Sequence, residues 1–195
     1  MDFVANNIYH IYNRGNNHQT IFPQERNYHY FLEKVRKSIS PHCDILAWVL
    51  MPNHFHFLIH ANDTTTEMVG TTVRRSALSE GFRHVLSSYS KGINKQEGYS
   101  GNLIKQNTRS KCVYDATDGA INYADICFTY IHQNPVRAGI VEKIEQWEYS
   151  SYKDYAGLRN GTLCNRQLAE KLIDSAALHS RANHILGEEK IKNIW

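Results

Sequence analysis

Two adjacent apolar segments constrain this chain more than any other feature. Asp44 to Met51 (DILAWVLM) is a nearly continuous apolar run. It reads as a strand buried on both faces, because a half-solvated strand would alternate apolar with polar residues. Pro52-Asn53 breaks the run, and His54 to Ala61 (HFHFLIHA) resumes as a second strand, giving a hairpin or a tight corner. A sheet of this kind needs helices over it.

The rest of the sequence supplies them. Asn7 to Asn13 (NIYHIYN) is β-branched and aromatic and stops at Arg14-Gly15, a strand followed by a turn. Beyond Pro23, Tyr28, Phe31, Leu32, Val35 and Ile39 recur at helical spacing, which predicts an amphipathic helix ending before Pro41. Thr64-x-x-Glu67 has the form of a capping box, so a second helix is expected from there towards Leu78 or Tyr89. Gly81, Gly92, Gly98 and Gly101 loosen that pattern, and Tyr99 to Asn102 reads as a turn. Leu103 to Tyr114 supplies a further strand. Asp118 caps a helix through Ile121, Ala124, Phe128 and Ile131, expected to stop at Asn134-Pro135. Trp147 to Tyr155 is aromatic and irregular, while Arg166 to Leu178 and Ile185 to Ile194 read as helices. The order strand, helix, strand, strand, helix, strand predicts an α+β sandwich of ferredoxin-like type, an antiparallel sheet backed by helices. Residues 1–156 form the expected domain, with 157–195 as a helical C-terminal appendage.

At 195 residues, 42% hydrophobic and 21% charged, the chain has room for one well-buried core. No stretch approaches the roughly 18 apolar residues of a membrane span, and Met1-Asp2-Phe3 does not begin a basic region followed by an apolar run. A cytoplasmic location with no membrane partner is the expectation. Cys43, Cys112, Cys127 and Cys164 are scattered without a Cys-x-x-Cys pair, so neither a zinc ribbon nor a thioredoxin-like site is supported.

Net charge is +3, but residues 74 to 111 carry eight Lys and Arg, Arg74, Arg75 and Arg83 among them, against Glu80 and Glu97. Cations with interspersed tyrosines suit a nucleic-acid partner, since they neutralise phosphates while rings stack on bases. A solvated helix face has the same composition.

Two constellations carry chemistry. In a strand, residues i and i+2 share a face, so His54 and His56 project together while Phe55 and Phe57 project the other way. Two imidazoles so placed can converge on one metal, although a pair of ordinary sheet histidines has the same spacing. On the helix, Tyr130 and Asn134 are four residues apart and share a face, which a packed aromatic would also explain. Taken together they say more. A helix laid on the sheet could bring Asn134 Oδ1 to the metal as a third ligand and set Tyr130 beside it. Such a set leaves positions open for phosphate oxygens and is compatible with Mg²⁺ or Mn²⁺, though imidazoles alone favour zinc. The expected chemistry is transesterification: Tyr130 attacks phosphorus and the 3′-oxygen leaves.

At these residues a resemblance enters. Met51 to Ile59 (MPNHFHFLI) resembles the histidine strand of single-tyrosine HUH transposases, and Tyr130 to Gly139 (YIHQNPVRAG) resembles the tyrosine-helix signature of their REP-associated branch. Asn13-Arg14-Gly15 with Ile21-Phe22 is similar to that branch's N-terminal block, and Trp147 to Tyr152 (WEYSSY) to its closing block. The four blocks stand in the expected order over residues 7 to 156. The resemblance implies the ferredoxin-like HUH nuclease fold, with His54, His56 and Asn134 as metal ligands. It further implies Tyr130 as the nucleophile of a 5′-phosphotyrosine intermediate, and single-stranded DNA beside an imperfect hairpin as the substrate. Arg14 and the basic residues Arg74, Arg75 and Arg83 become candidates for DNA contacts, in a monomer or homodimer. The segment 62–120 is long for the pattern, and 157–195 has no counterpart in it. A dimeric mobile-element transposase, a non-catalytic DNA-binding derivative and a metal-dependent RNA phosphodiesterase remain alternatives.

Overall fold

The structure is a computed structural model, described over residues 1–117, 123–173 and 185–192. Strands β1 (Ile8–Arg14), β2 (Asp44–Met51), β3 (His54–His60) and β4 (Arg109–Tyr114) pair antiparallel in the order β2-β3-β1-β4. Helices α1 (Glu25–Ser38) and α2 (Ala77–Glu97) cover one face, and α3 (Ala124–Arg137) covers the other. The α+β, ferredoxin-like expectation holds.

Alternation along the strands sorts residues between two cores. Phe55, Phe57 and Ile59 of β3 join Phe31 and Val35 of α1 and Phe82, Val85 and Tyr89 of α2. Leu58, with Leu46, Val49 and Met51 of β2, packs instead against Ala124, Cys127, Phe128 and Ile131 of α3. β2 is buried along almost its whole length, as its unbroken apolar run requires. Fully burying each large apolar side chain contributes about 1.5–3 kcal/mol, so the two-sided sheet is the main reservoir of stability.

Three local expectations are corrected. The capping box at 62–67 belongs to a single helical turn, Asp63–Thr66, whose N-cap is Asn62 rather than Thr64, and Glu67 lies past its end. A two-residue ribbon follows, Met68–Val69 with Arg75–Ser76, and the long helix begins only at Ala77, capped by Ser76. Gly81 and Gly92 then lie inside that helix. A Cβ at Gly81 would stand 2.1 Å from the Ser38 carbonyl oxygen, and one at Gly92 would stand 3.2 Å from the Tyr30 ring. These glycines let α1 and α2 approach closely and do not break the helix.

The third correction concerns α3. Its expected cap at Asp118, and Ile121, lie outside the described residues, while the helix continues through Pro135 to Arg137. Gly139 has φ +66°, Ile140 N–H donates to the Pro135 carbonyl, and Gly139 N–H donates to the Val136 carbonyl. That is a Schellman closure, so the stop signal was Gly139.

The strand read over 103–114 is regular only from Arg109, although Ile104 makes an isolated bridge to Gly15. The closing aromatic block covers the edge of β2. Leu50 N–H donates to the Tyr149 carbonyl and Ser151 N–H to the Trp48 carbonyl, so this edge is not left open. Of the expected C-terminal helices, Arg166–Leu172 and Glu188–Ile191 are observed, and residues 174–184 and 193–195 lie outside the described set. Ala169, Ile173, Leu186 and Ile191 are buried in the same core as α3. Among the described residues, no helix is long and apolar enough to cross a membrane.

Gly81→Ala separates propensity from packing. Alanine adds about 1 kcal/mol of helix preference, but its methyl group collides with a backbone carbonyl, and such overpacking typically costs about 1–3 kcal/mol or more. A net loss of up to roughly 2 kcal/mol is expected in urea unfolding. A stabilised variant would show that α1 and α2 are not this close.

Candidate active site

His54 and His56 lie on the α3 face of β3, their ring centroids 5.1 Å apart. The register with β1 sets Arg14 opposite His54 and Tyr12 opposite His56. His54 Nδ1 is 2.6 Å from Asn53 Oδ1, while the Asn53 amide nitrogen donates to the His18 carbonyl at 3.4 Å. Asn53 Oδ1 is therefore the acceptor, and neutral His54 carries its proton on Nδ1. Its Nε2 lone pair then points at Asn134 Oδ1, 3.5 Å away. Asn134 is turned that way because its amide nitrogen donates to the Tyr130 carbonyl at 3.2 Å. Two acceptors face each other.

That arrangement fits a cation. Two adjacent ligands about 2.1 Å from one ion are roughly 3.0 Å apart in octahedral and roughly 3.4 Å apart in tetrahedral coordination, so the two acceptors would close in by up to about 0.5 Å on an octahedral ion. Among the described residues no cluster of three or more His, Cys, Asp or Glu could hold a metal ion. The residues that could hold one here are His54, His56 and the Asn134 amide oxygen, of which His54 Nε2 and Asn134 Oδ1 are the two seen face to face. Burial holds His54 below the usual imidazole range, with the charge of Arg14 adding to it and the Asn134 contact opposing it. Burial, then His10 and His54, holds His56 well below that range. Both rings are neutral at pH 7, as a metal ligand requires.

Tyr130 sits one turn before Asn134 and is only 5% exposed. Its ring centroid is 5.7 Å from that of His56, and the Arg137 guanidinium is 5.7 Å from its ring centroid. Burial pushes the phenol up to about 12, against the pull of Asn134 and Arg137. Cys127, on the preceding turn, is fully buried and its thiol is pushed well above its ordinary range, so it offers no thiolate.

A cleft of about 880 Å³ opens beside the histidines, lined by Tyr12, Arg14, His54, His56, Lys105 and Arg109 among others. Its far wall is the 101–108 segment, tied down by the Asn-Arg-Gly turn: Asn13 Nδ2 donates to the Lys105 carbonyl at 2.9 Å, and Asn16 N–H to that of Leu103 at 3.0 Å. Gly15 is required there, since a Cβ would stand 2.2 Å from the Gln19 carbonyl oxygen. Ile21 and Phe22 N–H both donate to the Pro52 carbonyl, pinning the corner that aims His54.

Of the expected basic residues, Arg14 lines this cleft. Arg75 and Arg83 line a second groove of about 630 Å³ between α2 and the other side of the 101–108 segment, with Asn102, Lys105, Gln106 and Asn107 shared between the two. Arg74 lies by Asp2 and Phe3, and Arg83 is ion-paired to Glu80. Sequence reasoning did not single out His10 or Tyr12. The signal was available, because the two-residue alternation that pairs His54 with His56 also pairs His10 with Tyr12 in NIYHIYN.

The helix bearing Tyr130 and Asn134 is tied to β2 through His132, whose Nε2 lies 2.7 Å from Ser151 Oγ; that oxygen in turn accepts the Trp48 N–H. Burial lowers His132 to about 3. An unfolded histidine takes up its proton near 6.5, so between about pH 6.5 and 3 the unfolded state binds more protons. Stability is full above 6.5 and lost as pH falls. At pH 5 the loss through His132 is on the order of 2 kcal/mol. Urea midpoints should fall between pH 7.5 and 5.0, and His132→Asn should flatten that slope; an unchanged slope would contradict it.

No family model matches the sequence, and no curated protein is similar to it. A solved structure of a REP-associated tyrosine transposase bound to a REP hairpin does match, with a TM-score of 0.57 at 13% identity over 85% of this chain and 95% of that one. At this identity the likeness is one of fold, and it agrees with the resemblance carried by the four sequence blocks. The chain has the fold of a REP-associated tyrosine transposase.

Proposed function

We propose that this protein is a single-stranded DNA endonuclease and strand transferase acting at hairpin DNA, with Tyr130 as nucleophile and His54, His56 and Asn134 as ligands of Mg²⁺ or Mn²⁺. The observation that carries this reading is the lone pair of His54 Nε2 set against Asn134 Oδ1 at 3.5 Å, one turn from the Tyr130 phenol. The hairpin as substrate is taken from the matched transposase, whose structure holds a REP hairpin.

When bound, a divalent ion at this set supplies Lewis acidity to a non-bridging phosphate oxygen. The chain's residues do the rest. Tyr130 gives its proton to solvent water, its phenolate oxygen forms a bond to phosphorus as the phosphorus–O3′ bond breaks, and the departing O3′ takes a proton from solvent, leaving a free 3′-hydroxyl and a 5′-phosphotyrosine. Because burial, even against the pull of Asn134 and Arg137, holds the phenol up at about 12, the tyrosine is almost wholly protonated at pH 7. Asn134 and Arg137 both pull towards the phenolate, and a bound divalent cation would favour it further. Arg14, Lys105 and Arg109 line the cleft where the DNA backbone would pass.

The covalent step is directly testable. Tyr130→Phe removes one oxygen and leaves the ring to pack, so hairpin binding should persist. With Mn²⁺ and 3′-labelled single-stranded hairpin DNA, the parent should give a protein–DNA adduct on a denaturing gel, and the variant should give none. An adduct in the variant would move the nucleophile elsewhere.

Binding tests the two grooves. Removing one cation that neutralises a phosphate should lower the slope of log affinity against log salt by about 0.7 for single-stranded DNA. Arg14→Ala and Arg109→Ala should each show such a drop. Arg83→Ala should show less, because Glu80 already neutralises that guanidinium. Equal slopes for all three and the parent would remove the cleft as the DNA path.

A further inference from the structure

We propose that His10 is a positioning residue for this site: its Nε2 accepts the Nδ1 proton of His56 and so fixes the tautomer in which His56 Nε2 is the metal-binding nitrogen. The inference rests on the metal site proposed above and extends it to a residue outside the four sequence blocks.

The geometry is direct. His10 Nε2 and His56 Nδ1 are 2.8 Å apart, with the two rings nearly coplanar at 18°. His10 is 0% and His56 1% exposed. Tyr12, two residues along β1, lies against both, its ring centroid 4.8 Å from that of His10 and 5.8 Å from that of His56. The pair is thus enclosed in the sheet face beneath α3.

Two neutral imidazoles in such a contact have two arrangements. In one, His10 donates from Nε2, which puts the proton of His56 on its own Nε2 and blocks that nitrogen as a ligand. In the other, His56 donates from Nδ1, and its Nε2 lone pair is available to a metal. Only the second is compatible with the metal site. His54 is held in the same tautomer by a different partner, Asn53 Oδ1 at 2.6 Å. Each ligand histidine therefore has its own acceptor at Nδ1, a carboxamide for one and an imidazole for the other. Partners of this kind orient a metal-bound ring, and removing them typically lowers metal affinity about 10- to 100-fold.

The tautomer can be read without metal or catalysis. In metal-free protein labelled with ¹⁵N and ¹³C at histidine, at pH 7.5, His56 should show the Nδ1–H form. His10→Phe keeps a planar ring but has no acceptor. His56 should lose its fixed tautomer, and Mn²⁺ affinity, measured by calorimetry in the Tyr130→Phe background, should fall about 10- to 100-fold. His10→Gln offers a side-chain oxygen in place of the imidazole nitrogen and should restore both readouts most of the way. Wild-type His56 protonated at Nε2 would overturn the inference. So would His10→Phe with unchanged tautomer and Mn²⁺ affinity. If His10→Phe does not fold, the wild-type tautomer and His10→Gln decide it. If Tyr130→Phe protein with native His10 does not bind Mn²⁺, the metal reading fails, while the tautomer result still judges the role of His10.

Discussion

The site depends on one constraint: β3 is a strand buried on both faces, with α3 laid across the second. Alternation sends Phe55, Phe57 and Ile59 into the core under α1 and α2, which leaves His54, His56 and Leu58 facing α3. A polar pair on that face would ordinarily be costly to bury, and buried polar groups persist where they find partners. Here the partners come from three places in the chain. Asn53 lies at the corner before β3, His10 on the neighbouring strand, and Asn134 on the covering helix. The packing that makes the protein stable is also what gathers the polar groups.

Burial then tunes them in complementary directions. It holds the imidazoles neutral, by disfavouring their cations, and holds the Tyr130 phenol protonated, by disfavouring its anion. Before anything binds, the centre is therefore uncharged but rich in lone pairs, with Arg14 and Arg137 at its margins. A centre of this kind suits a divalent ion and a phosphodiester together, since each compensates the charge of the other. The 101–108 segment shapes access, as the wall shared by the two grooves, and the Asn-Arg-Gly turn holds it in place.

Much of the fold was legible because its strongest signals are local. The apolar run of β2, the alternation in β3 and the 3.6-residue spacing in α1 follow from which face of an element meets the core. Errors arose where local chemistry and packing disagree. Gly81 and Gly92 look like helix breakers, and only the proximity of Ser38 and Tyr30 explains them as points of close approach. Pro135 looks like a helix stop, yet α3 passes through it and closes at Gly139, whose left-handed backbone completes the closing bonds. At the Thr64 box, a better cap stood two residues earlier at Asn62.

What the sequence by itself determined is the set of faces: His54 with His56, Tyr130 with Asn134, His10 with Tyr12, each pair fixed by the repeat of its own strand or helix. Periodicity says which residues point together. It does not say what they point at. Only the tertiary structure decided that Asn134 stands 3.5 Å from His54, that His10 bonds to His56, and that Arg14 lines the cleft while Arg75 and Arg83 line the other groove. Those distances join residues 46 to 80 positions apart. They are set by how α3 and β1 pack on β3, a sum of many weak interactions that no single stretch of the sequence encodes.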